Sequence, residues 1–383
     1  MIKNCYFFFL KFYVKFILIM GIKLQNIIVR KELEYQDLKG KILAIDAPNI
    51  IMGLFNFARK NSDGTDAGSI LDRTQRPISH LYGLLYRVNF YYSKKIFPIF
   101  CFDGKVSELK KLITKDQLKD FLFIQKWYKE ALRQQNRDLA RQIALSKEYM
   151  WQNIIKESRQ LLGALGIPYI DSPASAESQC AFLVKQKIAN FSNSQDFDSL
   201  LFGCSYVIQN LSKSLKRKVQ GRWKYQKIQP VSIDLQKNLK NLGISIFQLI
   251  DMGILVGIDY FPGIHGIGSK KALQLIRKYK SIETLILKEY NNYDFSELNP
   301  DIIKKVRKIF VFPDINEQID NIFWNPVNKT RVLSLLCEEH YLNKERVEKN
   351  LDMFEKNYKA SREFFIHQRQ KPRKLQITLD NLL

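Results

Sequence analysis

Six carboxylates stand out in this 383-residue chain because most of them follow short apolar runs: Asp46 after 42–45, Asp103 after 98–102, Glu177 beyond 168–170, Asp196 and Asp198 beyond 188–192, and Asp259 after Gly257-Ile258. Taken singly each says little, since an Asp behind a strand is more often a helix cap or a turn residue than a ligand. Their joint placement says more. Two carboxylates about 4 Å apart repel by roughly 4 kcal/mol at an effective dielectric of about 20, so six in one crevice require compensating positive charge. The chain has 4 histidines, none at ligand spacing, and 5 cysteines without a C-x-x-C pair. The charge must therefore be held by oxygen, which selects hard cations such as Mg²⁺, with Mn²⁺ able to substitute. Two such ions about 4 Å apart can activate water on one side of a phosphodiester and stabilise the leaving oxygen on the other. Phosphodiester hydrolysis is the reaction such a cluster suits. If Asp196-Phe197-Asp198 is extended, its alternate residues share a face and both carboxylates reach one metal pair.

These acids need a scaffold that brings strand ends together. From Lys41 on, short β-branched runs alternate with longer amphipathic stretches, which predicts an α/β fold with a mostly parallel central sheet. Acids beyond the carboxyl ends of its strands would line the ligand crevice. Between Lys105 and Gly163 the chain is polar and helix-forming, without proline or internal glycine, and carries 13 Lys or Arg against 7 Asp or Glu up to Arg159. It reads as two or more helices, either a solvated pair or an insertion arching over the crevice. Ser212 to Lys227 holds 7 basic residues and no acid, with Trp223 and Tyr225 interleaved; a phosphate-facing hairpin and a solvated charge run both fit.

Composition agrees with a nucleic-acid partner without proving one. Lys and Arg number 61 against 38 Asp and Glu, a formal charge of +23 and a pI near 9.6, the footprint of a nucleic-acid binder, although an AT-rich genome also inflates lysine. A hydrophobic content of 46% over this length supports a large core. The scattered cysteines exclude a disulfide framework and fit a reducing interior. The first twenty residues look like a targeting segment, yet Lys11 and Lys15 interrupt the apolar runs and no small-residue cleavage site follows. Translation is expected to begin at Met20, which leaves residues 1–19 as a misannotated upstream extension.

Gly263-Ile264-His265-Gly266-Ile267-Gly268-Ser269-Lys270-Lys271-Ala272 leads into an amphipathic stretch ending near Tyr279. Glycines let a backbone approach closely, and a helix N-terminus offers N–H groups and partial positive charge to a phosphate. The pattern is a helix-hairpin-helix signature for DNA, with His265 as a turn residue.

Seven dispersed segments resemble the flap endonuclease family of structure-specific 5′ nucleases, its archaeal branch in particular: Met20-Gly21-Ile22, Ile45-Asp46-Ala47, Ser79-His80-Leu81, Phe102-Asp103-Gly104, the run from Ser194 to Gly203, the run from Leu255 to Tyr260, and the glycine hairpin. The resemblance implies that Asp46, Asp103, Glu177, Asp196, Asp198 and Asp259 are metal ligands and that Lys110 assists at the scissile phosphate, with Asp198 and Lys110 as the catalytic pair. It implies DNA contacts from Arg59, Arg87, Gly257, Gly266, Gly268, Lys270 and Lys271. It also implies a sliding-clamp (PCNA) binding tail with Gln376, Leu379, Leu382 and Leu383 as anchors. The family usually has aromatics at the last pair, so a weaker clamp contact is expected.

Three positions depart from the family. Ser175 stands where it has the first of two glutamates, Gln117 where it has an arch arginine that Lys115 or Lys119 could replace, and Met52 where it has a base-stacking tyrosine. The resemblance divides the chain into 20–121 and 161–277 as N-terminal and internal nuclease regions, 122–160 as a helical arch, 278–368 as a C-terminal helical region, and 369–383 as a basic, clamp-binding tail. The implied protein is a flap endonuclease with 5′–3′ exonuclease activity that acts on branched DNA without a membrane, in the cytoplasm of an archaeon or the nucleus of a eukaryote. A catalytically weakened binder of junction DNA and clamp is the alternative; an RNA-cleaving relative is disfavoured by the hairpin and the tail.

Overall fold

Two of the apolar runs lie side by side in the middle of a sheet. The computed structural model describes residues 22–55, 70–104, 126–144, 147–211, 215–219, 222–226, 228–319 and 322–370. Its strands are β1 Lys31–Glu32, β2 Ile42–Asp46, β3 Phe97–Phe102, β4 Tyr169–Asp171, β5 Phe191–Asn193, β6 Tyr206–Gln209, β7 Leu215–Val219, β8 Arg222–Gln226 and β9 Val231–Asp234. Seven form one sheet in the order β1-β9-β6-β5-β2-β3-β4. From β4 to β6 all neighbours are parallel, while β9 and β1 add antiparallel pairs at one edge. The α/β fold with a mostly parallel sheet is thus present. β7 and β8 make a separate antiparallel hairpin within the basic run Ser212 to Lys227.

The central strands alternate between two helical layers. Ala44, Ile99, Cys101 and Val207 join one apolar cluster, whereas Leu43, Ile45, Phe100, Phe102 and Ile208 join the other. Both faces are covered, which is why β2 and β3 read as nearly continuous apolar runs. Helices α1 Ala47–Phe55, α2 Ser79–Ser93, α3 Arg137–Ala144, α4 Lys147–Ala164, α5 Ala176–Lys185 and α6 Asp198–Leu201 follow in chain order. After the sheet come α7 Leu235–Leu242, α8 Ile246–Val256, α9 Ser269–Tyr279, α10 Ile282–Glu289, α11 Pro300–Val311, α12 Lys329–Leu333 and α13 Lys344–Gln370. Helices α5, α8 and α9 pack in the first cluster and α1, α2, α4 and α13 in the second. Among the described residues no single helix is long and apolar enough to cross a membrane.

Two expected strand limits shift. The run ending at Ser192 becomes a strand only from Phe191, because Ile188 and Ala189 donate back to the Leu183 carbonyl and close α5. The run at Pro168 yields β4 one residue later. The helical expectation for 105–163 holds over its described part, in a helical run at 126–133, α3 and α4. The expected divisions at 160/161, 277/278 and 368/369 fall inside α4, α9 and α13. Segments far apart in sequence share each core cluster.

Chain order reverses beside β2: the chain passes from β2 to β3 and β4 on one side, then returns to β5 and β6 on the other. Open α/β sheets place their crevice at such a switch point, outside the carboxyl ends of the strands.

Candidate active site

Asp46 is the last residue of β2, paired with Cys101, so Asp103 lies two residues beyond the register on the neighbouring strand. Asp46 is 4% exposed. Its Oδ1 accepts the Asn49 backbone N–H at 3.3 Å in the first turn of α1, and its Oδ2 accepts the Ser194 hydroxyl at 2.9 Å. Asp103 Oδ1 accepts the Ala176 N–H at 2.8 Å at the start of α5, where a helix's partial positive charge favours an anion. Glu177 sits in the first turn of that helix, whose N-cap is Ser175.

On the other side of the switch point, Asp196 Oδ2 accepts the Asn49 side-chain amide at 2.6 Å. Asp198 opens α6 and accepts the Ile22 N–H at 2.9 Å across 176 positions of sequence. The condition for a shared strand face at Asp196-Phe197-Asp198 is not met: Phe197 is helical (φ −92, ψ −3) and Asp198 is the first residue of α6. Asp259 follows Gly257, the C-cap of α8, in a turn closed by an Ile258 to Phe261 bridge.

The six acids feel one another. Burial and then the charges of Asp103 and Asp196 push the Asp46 carboxyl up to about 8, against the Ser194 hydrogen bond. Burial and then Asp198, Asp46, Asp196 and Asp259 raise Glu177 well above the usual carboxylate range. Burial, with Asp259 adding and Asn49 subtracting, brings Asp196 to about 6. Among the described residues no three acidic, histidine or cysteine groups form a tight, ready-made cage. The acids are near enough for their charges to raise one another's carboxyls. The donors are all oxygen, so the set fits hard divalent cations and not zinc-type sites.

Next to the acids lies the glycine hairpin. Gly257 has φ +107, and a Cβ there would meet the Pro262 carbonyl at 2.6 Å, so only glycine makes the turn into Asp259. Gly266 has φ +82, but Gly268 is in an extended conformation with open space around it as the N-cap of α9. Lys270 and Lys271 are exposed in the first turn of α9. Cations are disfavoured at that end of a helix dipole, which suits a surface that meets an anion. His265 is an exposed turn residue. Arg87, on α2, donates through Nη1 to the Leu211 carbonyl, so part of its guanidinium serves the fold. Arg59, Lys110, Lys115, Gln117, Lys119, Gln376, Leu379, Leu382 and Leu383 lie outside the described residues.

Asn49, Ser194 and the Ile22 and Ala176 backbone N–H groups were not singled out by sequence. Ser194, two residues before Asp196, had a local signal; Asn49 touches Asp196 across 147 positions, which spacing does not reveal.

Comparison with known proteins places these features in context. The model for the XPG N-terminal domain matches residues 20–119 and that for the XPG I-region matches 166–259. Flap endonuclease 1 of Aeropyrum pernix is 35% identical over 344 residues, 89% of this chain and 96% of that one. Its counterpart from Staphylothermus marinus is 36% identical over 345 residues, covering 89% and 96%. Among solved structures, flap endonuclease-1 from Methanococcus jannaschii superposes with a TM-score of 0.66 at 24% identity, over 89% of this chain and 99% of that one. The catalytic core of Rad2 in complex with DNA substrate gives 0.58 at 21%, over 84% and 94%.

Proposed function

We propose, from the premise that the chain belongs to the flap endonuclease family, that its six-acid crevice hydrolyses DNA phosphodiesters at 5′ flap junctions with two divalent cations, Mg²⁺ in the cell. The chain is a structure-specific flap nuclease; the cations, the ligands and the partners are the finer reading. The carrying observation is the convergence of Asp46, Asp103, Glu177, Asp196, Asp198 and Asp259 on a switch point, with burial and mutual repulsion raising three of them.

These six residues would hold the ions. Bound divalent cations supply Lewis acidity at the scissile phosphate and balance the negative charge there. The protein's own groups do the rest. Ile22 N–H, Ala176 N–H, Ser194 and Asn49 fix the orientation of four of the acids. The α9 N-terminus with Lys270 and Lys271 grips duplex phosphates, with Gly257, Gly266 and Gly268 giving backbone access. Arg59 and Arg87 add DNA contacts, and Lys110 neutralises charge developing on the phosphate. The C-terminal tail through Gln376, Leu379, Leu382 and Leu383 binds the sliding clamp, weakly for want of aromatics. The 5′–3′ exonuclease activity uses the same site, in the cytoplasm of an archaeal host or the nucleus of a eukaryotic one.

A weakened binder of junctions and clamp is favoured by one observation: the hydroxyl of Ser175 caps α5, so this position adds no carboxylate. Cleavage of a flap duplex in Mg²⁺, compared between wild type and Asp198→Ala, tests the enzyme reading against it.

A further inference from the structure

One side chain links the two halves of the acid cluster. Asn49, in the first turn of α1, donates its backbone N–H to Asp46 Oδ1 at 3.3 Å. Its amide Nδ2 donates to Asp196 Oδ2 at 2.6 Å, and its Oδ1 accepts the Gln195 N–H at 3.1 Å. Asp46 ends β2 and Asp196 follows β5, the two strands that flank the switch point. We propose that Asn49 is a positioning residue that holds Asp46 and Asp196 in register across the switch point for divalent-cation binding.

Three features carry this. The contact to Asp196 is a short, charge-assisted hydrogen bond, roughly twice as strong as a neutral one. The loop that Asn49 grips is itself anchored: Gln209 donates to the Gln195 carbonyl at 2.8 Å, and the Asn210 N–H to Gln195 Oε1 at 3.3 Å. Asn49 therefore pulls Asp196 against a fixed support. Ser194 adds a parallel tie, donating to Asp46 at 2.9 Å while accepting the Asp196 N–H at 3.2 Å. Among the described residues, Asp196 Oδ1 accepts no hydrogen bond, so the clasp holds one carboxylate oxygen only. Residues that orient metal-binding carboxylates in this way typically account for about 10- to 100-fold in metal affinity.

The inference rests on the divalent-cation reading, and calorimetric titration of Mn²⁺ into DNA-free protein separates the two. Asn190→Ala is the comparison, because Asn190 accepts the Ile42 N–H at 2.9 Å at the opposite end of β2 and supports the strand without reaching the acids. Asn49→Ala is expected to weaken Mn²⁺ binding about tenfold or more, with Asn190→Ala binding as wild type and both variants retaining a cooperative thermal transition. Should Asn49→Ala fail to fold, Asn49→Ser, whose hydroxyl is too short to reach Asp196, carries the same test. Wild-type Mn²⁺ affinity in folded Asn49→Ala or Asn49→Ser overturns the proposal alone. A wild type that takes up no Mn²⁺ overturns the divalent-cation reading beneath it.

Discussion

The Ser175 hydroxyl oxygen accepts the Ser178 backbone N–H at 3.1 Å, and Ser178 donates its own hydroxyl to the Ser175 carbonyl at 2.7 Å. Ser175 therefore caps the helix that presents Glu177. Ser175→Glu is expected to lower the Mg²⁺ concentration for half-maximal flap cleavage several-fold by restoring a ligand charge. It should also reduce stability by about 1 kcal/mol through the lost cap. Paired metal titrations and melting curves check both, and an unchanged metal requirement would contradict the ligand role of this position.

Met52 lies one turn beyond Asn49 on α1 and is partly exposed. Against a base it would offer a flexible thioether and no aromatic face. Since stacking contributes about 1–3 kcal/mol per base, Met52→Tyr should tighten flap-substrate binding on the order of tenfold. Fluorescence anisotropy in Ca²⁺ measures this, and equal affinity would place the base elsewhere.

Acid stability should depend on Glu157 of α4. It sits within a buried cluster, 3.1 Å from His80 and 3.4 Å from His340, which in turn is 3.0 Å from Asp72. Burial alone would raise Glu157, but the hydrogen bonds and charges of His340 and His80 outweigh it and hold the carboxyl at about 2. A depressed carboxylate contributes stability that is full above its unfolded value of 4.5 and is lost as pH falls towards about 2. Glu157→Gln should therefore lower stability at neutral pH, on the order of 3 kcal/mol at most, and flatten its decline below 4.5. His340 is shifted upwards, against its burial, by Asp72 and Glu157, so its share is present at low pH and fades as pH rises through its folded value. Parallel acid slopes in the two proteins would remove Glu157 from this role.

Lys270 and Lys271 should act as phosphate contacts that carry no sequence information. The double alanine variant is expected to weaken duplex binding alike across sequences and to reduce the salt slope by about 2. A salt slope equal to wild type would show the two lysines solvated in the complex.

What could be read in advance follows physical range. β2 and β3 were legible because strands covered on both faces become continuous apolar runs, and α9 because glycines and lysines mark its start. β6, β9 and β1 are short edge-side strands of 4, 4 and 2 residues, too brief to show a period. The Asp-Phe-Asp spacing left two conformations open, since alternation along a strand and the start of a helix begin with the same residues; only the turn at Phe197 separates them. Gly268 is extended with open space around it, so the fold itself does not demand a glycine there. The fastening of the acids by Asn49 and Ile22 spans 147 and 176 positions, a range at which local pattern carries no signal.

The most direct test is single-turnover cleavage of a 5′ flap duplex by protein beginning at Met20, with and without Mg²⁺, alongside Asp198→Ala. Asp198 is nearly buried at the head of α6 and tied to Ile22. The account predicts incision near the flap base only with the metal present, and a loss of about a hundredfold or more in Asp198→Ala. Absence of Mg²⁺-dependent incision, or equal turnover by wild type and Asp198→Ala, would contradict it.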